Sequence, residues 1–222
     1  MQKLSYTFAL LFAASLIFSS CRNNDDDNGN GNNNPGIGNP TATTDPGVVI
    51  NGIRWATRNV AAPGTFAQHP HDAGMFFQWN RRTGWSATNP MVSSPASATW
   101  DNTNATSETW TRTNDPCPTG WRVPTRVKFD ELINAGYEWT PRSGVNGTVF
   151  GSGNNTIFLP AAGVRYTSGA LLGVGTYGVY WSSSPSTSFV APAATVLWLR
   201  QSGSSVEHGS RAYGMSVRCV AE

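Results

Sequence analysis

Two cysteines 102 positions apart, a His-Pro-His-Asp run, an Asn-Asp pair, an Asp-Glu pair and nine tryptophans are where this 222-residue chain could do chemistry. His69-Pro70-His71-Asp72 offers two imidazoles and a carboxylate, groups that bind transition metals. It has no third partner in the sequence and reads as a polar loop, so no metal is expected. Asn114-Asp115 is the nearest local set of calcium-type oxygens, but calcium takes six to eight oxygen ligands and the carboxylates here are few and dispersed. Turn chemistry before Pro116 accounts for the pair. Asp130 and Glu131 are neighbours at i, i+1, which do not face each other on a helix, so they read as a solvated face. No serine stands in a nucleophile elbow, and Trp181-Ser182-Ser183-Ser184 reads as a strand end. The glycines of Gly169–Gly178 are followed by no helix and no suitably spaced acid, so no dinucleotide or other cofactor is expected. Aromatic side chains remain. Tryptophan and tyrosine stack on sugar rings or apolar peptide groups, and arginine reads carboxylates. Trp85, Trp100, Trp110, Arg165 and Tyr177 are therefore the candidate ligand-binding residues. Roughly two thirds or more of the tryptophans are expected to be buried.

The elements that must position these groups are short. Asn51-Gly52, between Val48-Val49-Ile50 and Ile53-Arg54-Trp55, is a two-residue hairpin signal. Gly74–Asn80 reads as another short strand. Arg81–Pro116 holds neither a helical nor an alternating period, so its tryptophans are expected to pin loops to the core. Pro124 makes Val123 extended, and Thr125 is placed to cap a helix over about 126–135. Phe129, Leu132 and Ile133 form that helix's apolar face, and Gly136 supplies the stop. Beyond it, "TIFLPAAGVRY", "GVYWSSSP", "TVLWLRQ" and "GMSVRCV" are β-prone runs separated by Gly, Ser and Pro. One helix followed by many short strands predicts an α+β domain. Asn114–Thr125, with its cysteine, three prolines and Trp121-Arg122, reads as a rigid joint with both of those side chains buried.

Lys3, an apolar run from Leu4 to Phe18 and the small residues before Cys21 describe a secretory signal over residues 1–20. The run is short for a membrane span. Cys21 at the small-residue boundary resembles a bacterial lipobox, with Phe18 where such boxes usually carry Leu. The resemblance implies that Cys21 becomes the first mature residue and bears a lipid that anchors the chain to a membrane. Residues 21–47 hold almost no apolar side chains and read as a disordered tether. Their Asp25-Asp26-Asp27 triplet resembles the surface-export signal of Bacteroidetes lipoproteins, which implies the outer face of the outer membrane. Residues 48–222 form one domain with thirteen basic and nine acidic residues. The arginines are scattered, so no nucleic-acid partner is expected. In an exported chain, Cys117 and Cys219 are expected to pair, two free thiols being the alternative.

"VVINGIRWATRNV", "GMFFQWN", "DPCPTGWRVPTRVKFDELI", "FLPAAGVRY", "GVYWSSSP" and "GMSVRCV", in this order, resemble the Fibrobacter succinogenes major paralogous domain family over essentially all of Val48–Val220. The Gly120–Thr125 piece with its helix is also similar to that of formylglycine-generating enzymes. The resemblance implies a C-type lectin-like fold with short twisted antiparallel sheets, one clear helix, long loops and adjacent N- and C-terminal strands. Lys128 departs from it, standing where an acid usually closes the capping box. Formylglycine-generating enzymes need two nearby late cysteines for copper, and only Cys219 stands there, so their activity is not expected. The function expected is that of a surface lipoprotein binding a carbohydrate, glycoprotein or envelope partner without catalysis. A structural subunit of a surface complex is the second reading and an enzyme with an unrecognised site the third. The loops at 61–113 and 166–178 are the expected place of function.

Overall fold

Asn51 and Gly52 both take positive φ (48° and 75°), which turns β1 (Val48–Ile50) back onto β2 (Ile53–Trp55) with Ile50 opposite Ile53. A computed structural model of the chain describes residues 42–186 and 192–222. The next elements are β3 (Met75–Phe77), β4 (Gly84–Ser86), β5 (Ser93–Ser94), a 3-10 turn at Arg112–Asn114, β6 (Trp121–Arg122) and α1 (Arg126–Asn134). They are followed by β7 (Tyr137–Trp139), β8 (Gly147–Ser152), β9 (Asn155–Pro160), β10 (Val164–Arg165) and β11 (Leu171–Leu172). The chain closes with β12 (Tyr177–Ser186), β13 (Ala193–Arg200), β14 (Gly203–Ser210) and β15 (Val220–Ala221).

These strands form five small antiparallel sheets: β1-β2-β15-β6, β3-β4-β5, β7-β8-β9, β10-β11 and β12-β13-β14. The last is central. Because side chains alternate along a strand, its two faces feed two different cores. Val179, Trp181, Ala194 and Val196 pack on one side with Phe77, Trp79 and the Cys117–Cys219 disulfide. Tyr180, Leu197 and Leu199 pack on the other with Trp55, Phe150 and the Phe129 and Leu132 face of α1. A smaller cluster joins Phe76, Trp85, Ala87 and Ala162.

The expected α+β class gives way to a mostly β chain. Among the described residues one nine-residue helix stands against fifteen strands. The segments without a clear period resolve into strands of two or three residues rather than helices, because Gly, Pro, Ser and Thr dominate them. Five separate small sheets of this kind, with no solved structure that matches them, do not support the C-type lectin-like architecture.

Local expectations change as well. The helix spans Arg126–Asn134, and Gly136 takes φ +87° beyond its end. Thr125 makes no side-chain cap; instead the Arg126 N–H donates to Ser184 Oγ at 3.1 Å, a cap supplied by β12. Trp121 is buried, but Arg122 is exposed, since adjacent residues of β6 point to opposite faces. The domain also starts before Val48. Ala42 bridges Phe66, and the buried Asp45 carboxylate accepts from the N–H groups of Gly47 and Thr57 and from Arg58 Nε at 2.9 Å each. Residues 42–47 are thus held by the Asp45 carboxylate and by Arg54 and Arg58, which donate to the Pro46 and Thr44 carbonyls. The signal at 1–20, Cys21, and Asp25–Asp27 lie outside the described residues.

Candidate ligand-binding site

Four of the five candidate side chains serve the scaffold. Trp85 is buried and meets the edge of Trp100 at 5.1 Å. Trp100 is half-buried, and its indole N–H donates to the Thr167 carbonyl at 2.7 Å. Trp110 lies edge-on to Trp79 and donates to the Asn114 carbonyl at 3.1 Å. All three pin loops. Arg165 is 1% exposed, and its guanidinium donates to the carbonyls of Ser86, Thr88 and Gly169 and to Asn89 Oδ1. Four of its five N–H donors are thus committed, and the group is buried away from any ligand. Of the nine tryptophans five are buried and four half-buried, so pinning accounts for them more evenly than full burial does.

The other motifs resolve similarly. Cys117 and Cys219 form a disulfide with Cα atoms 6.1 Å apart. Asp115 is buried and accepts from the N–H groups of Cys117 (2.9 Å) and Val123 (3.1 Å), fixing the proline-rich joint. Desolvation pushes its carboxyl above the usual range despite those bonds. His69 and His71 stack in parallel, 5.3 Å apart, and Asp72 accepts from the His69 N–H. No group of three or more metal-ligating side chains occurs among the described residues.

Tyr177 behaves differently. It is the first residue of β12, opposite Arg200 of β13, and Val179 next along the same face is opposite Trp198. Val179 and Val196 are buried on this face, whereas Tyr177, Trp198 and Arg200 are half-buried. The core ends between these positions, and the sheet carries its inner face out into solvent. The turn before β12 makes room for this. Gly173 takes φ +74°, and a Cβ there would stand 2.1 Å from the Tyr177 ring, so the ring lies flat against bare backbone. Trp198 packs 5.1 Å from Tyr177, and the Arg200 guanidinium lies 4.3 Å above the Trp198 ring. Tyr166 stands beside the Tyr177 hydroxyl and meets Tyr213 at 4.8 Å.

Tyr177 and Arg200 wall an open cleft of about 510 Å³, completed by Thr176, Gln201 and Ser202. Arg200 makes a two-pronged pair with Glu207 at 2.6 and 3.0 Å, and Ser205 donates to the same carboxylate at 2.7 Å. The Arg200 bond holds the Glu207 carboxyl below its usual range, and the Glu207 bond raises Arg200 further. The pair stays ionised near neutral pH and compensates itself, so the cleft offers hydroxyls, an amide and an aromatic wall with no net charge. Burial, then the neighbouring Tyr166, pushes the Tyr177 phenol up to about 12, so it remains a neutral hydroxyl.

Sequence reading reached Tyr177 but missed Trp198, Arg200 and Glu207. A run such as "TVLWLRQ" reveals alternation but not where the core beneath it stops. The signal that could have found them is the Gly173-x-Gly175-x-Tyr177 spacing, a tight turn delivering an aromatic to a strand start. No protein-family model, no curated protein and no solved structure matches this chain.

Proposed function

We propose that this chain is a lipid-anchored surface protein whose domain binds a neutral carbohydrate, free or on a glycoprotein, and catalyses no reaction on it. The observation that carries this reading is the cleft between Tyr177 and Arg200. It joins an aromatic wall to uncharged hydrogen-bonding groups at the rim of the central sheet. A sugar ring presents C–H bonds on its faces and hydroxyls around its edge, and these match an aromatic wall and a ring of Thr, Ser and Gln side chains. Both flanking strands are ten and eight residues long and are the best supported in the fold, which keeps the groups in place without a ligand.

The lipid at Cys21, export through Asp25–Asp27 and membership of the Fibrobacter succinogenes major paralogous domain family belong to the same proposal and rest on the sequence. Protease shaving of intact cells tests the address: the domain should be released before lysis, and protection until lysis would put it on the inner side. A neutral-glycan array probed with the full chain and with Trp198→Ala, which removes the packing behind the Tyr177 wall, tests the cleft. The array should lose its signal with the variant, and an unchanged pattern would count against this site.

A further inference from the structure

A second cleft, of about 390 Å³, lies between the His69–Asp72 loop and the turn that joins β7 to β8. Its chemistry differs from that of the Tyr177 cleft. The turn Arg142-Ser143-Gly144-Val145 closes with reciprocal 2.9 Å backbone bonds between Arg142 and Val145. Ser143 and Gly144 both take positive φ (49° and 77°). A serine costs more than glycine in that region, so the turn keeps its hydroxyl at some conformational expense. Asn146 fixes the turn from behind, its Nδ2 donating to the Gly175 carbonyl at 2.9 Å and so tying it to the turn that carries Tyr177.

Arg142 is exposed, and its guanidinium has no hydrogen bond or ion pair among the described residues. The hydroxyls of Ser143 and Thr156 are likewise uncommitted, whereas Thr57 Oγ1 is held by Asp45 at 2.9 Å. His71 faces the cleft from the opposite wall, with Asp72 Oδ1 3.9 Å from its Nε2. Phe158 and its cross-strand partner Val149 form the floor. A free guanidinium fork of N–H donors on a fixed backbone turn fits a carboxylate in two-pronged fashion. Hydroxyls beside it and an apolar floor beneath fit the polar edge and the C–H face of a sugar ring.

We propose that this cleft is a subsite for an acidic sugar of the hexuronate class, with Arg142 binding its carboxylate and Ser143 and Thr156 its ring hydroxyls. The inference rests on the reading that the domain binds saccharides, and it adds a charge preference that the Tyr177 cleft lacks. A single chain could then hold two residues of a mixed neutral and acidic glycan.

The test is titration of the full chain with sodium glucuronate, glucose and N-acetyl-dialanine, followed by nuclear magnetic resonance of the arginine side chains. Glucuronate should shift the Arg142 Nε–Hε signal. Arg142→Gln should weaken glucuronate at least tenfold, leaving circular dichroism and glucose binding unchanged, and Ser143→Gly should weaken it severalfold while relaxing the turn. Equal glucuronate affinity in the wild type and Arg142→Gln overturns the proposal. So does dialanine binding as tightly as glucuronate, which would make the cleft a peptide-carboxylate site. Neutral glycan binding that depends on Trp198, together with no glucuronate binding, overturns this inference and leaves the proposed function standing. Failure of every saccharide overturns both.

Discussion

Tyr177 is half-buried because it stands where the inner face of the central sheet outruns its core, and Gly173 leaves space for its ring. Three residues further along the same strand, Tyr180 is fully buried on the opposite face. Its hydroxyl donates to the Pro160 carbonyl at 2.9 Å and accepts from Asn59 Nδ2 at 3.3 Å. Burial pushes this phenol up to about 12 as well, against the pull of the Arg218 charge. Both tyrosines therefore ionise later in the fold than the ordinary value of 10.0. The unfolded chain loses these protons first, so their contribution to stability is intact below pH 10 and is lost as pH rises toward about 12. Spectrophotometric titration of the native protein should show late phenol ionisation coupled to unfolding. Tyr180→Phe should cost about 1–3 kcal/mol in denaturant unfolding, because a buried carbonyl and amide lose a partner. The type of each side chain was legible in the sequence, but its task was not. Arg165, Arg211 and Arg218 look alike as residues, yet all three are buried clamps on loop carbonyls. Burial lowers Arg218 to about 10. Arg142 and Arg200 reach solvent, and nothing local in the sequence separates the two groups.

At the scale of elements, strong local signals translated directly. Asn51-Gly52 made its hairpin, the Phe129, Leu132 and Ile133 spacing made α1, and the apolar runs made β9, β12 and β13. What escaped were elements specified by their neighbours. β14, "GSSVEHGS", has little strand preference of its own and forms because all eight of its residues register against β13. The helix cap is similar. Thr125 fits the pattern, but Ser184, 58 residues beyond Arg126, makes the bond. Ser184→Ala should therefore destabilise the domain by about 1 kcal/mol and Thr125→Ala by less, compared by chemical denaturation. The reverse order would restore the local cap.

At the scale of the molecule, the described residues belong to one compact unit, and its first hairpin and last strand are brought together. Val220 of β15 pairs with Trp55 of β2 and with Arg122 of β6, and the Cys117–Cys219 disulfide locks the same corner. The bond closes a loop of 102 residues. Chain-entropy reasoning puts its loss at about 4–5 kcal/mol, so reduction should lower the denaturation midpoint sharply and Cys117→Ser/Cys219→Ser should match the reduced protein. No change on reduction would contradict this. The cysteine pairing was legible from the count and the exported character of the chain. The fold class was not, because one clear helix weighed too heavily beside strands of two or three residues that no periodicity reveals. The function proposed for the whole molecule is a saccharide site at the rim of the central sheet. Its most direct test is a neutral-glycan array probed in parallel with the full chain, Tyr177→Ala and Trp198→Ala. Binding to a defined set of glycans that falls at least tenfold in both variants, with both still folded by circular dichroism, is the predicted result; binding that survives both substitutions, or no glycan binding by the wild type, would contradict it.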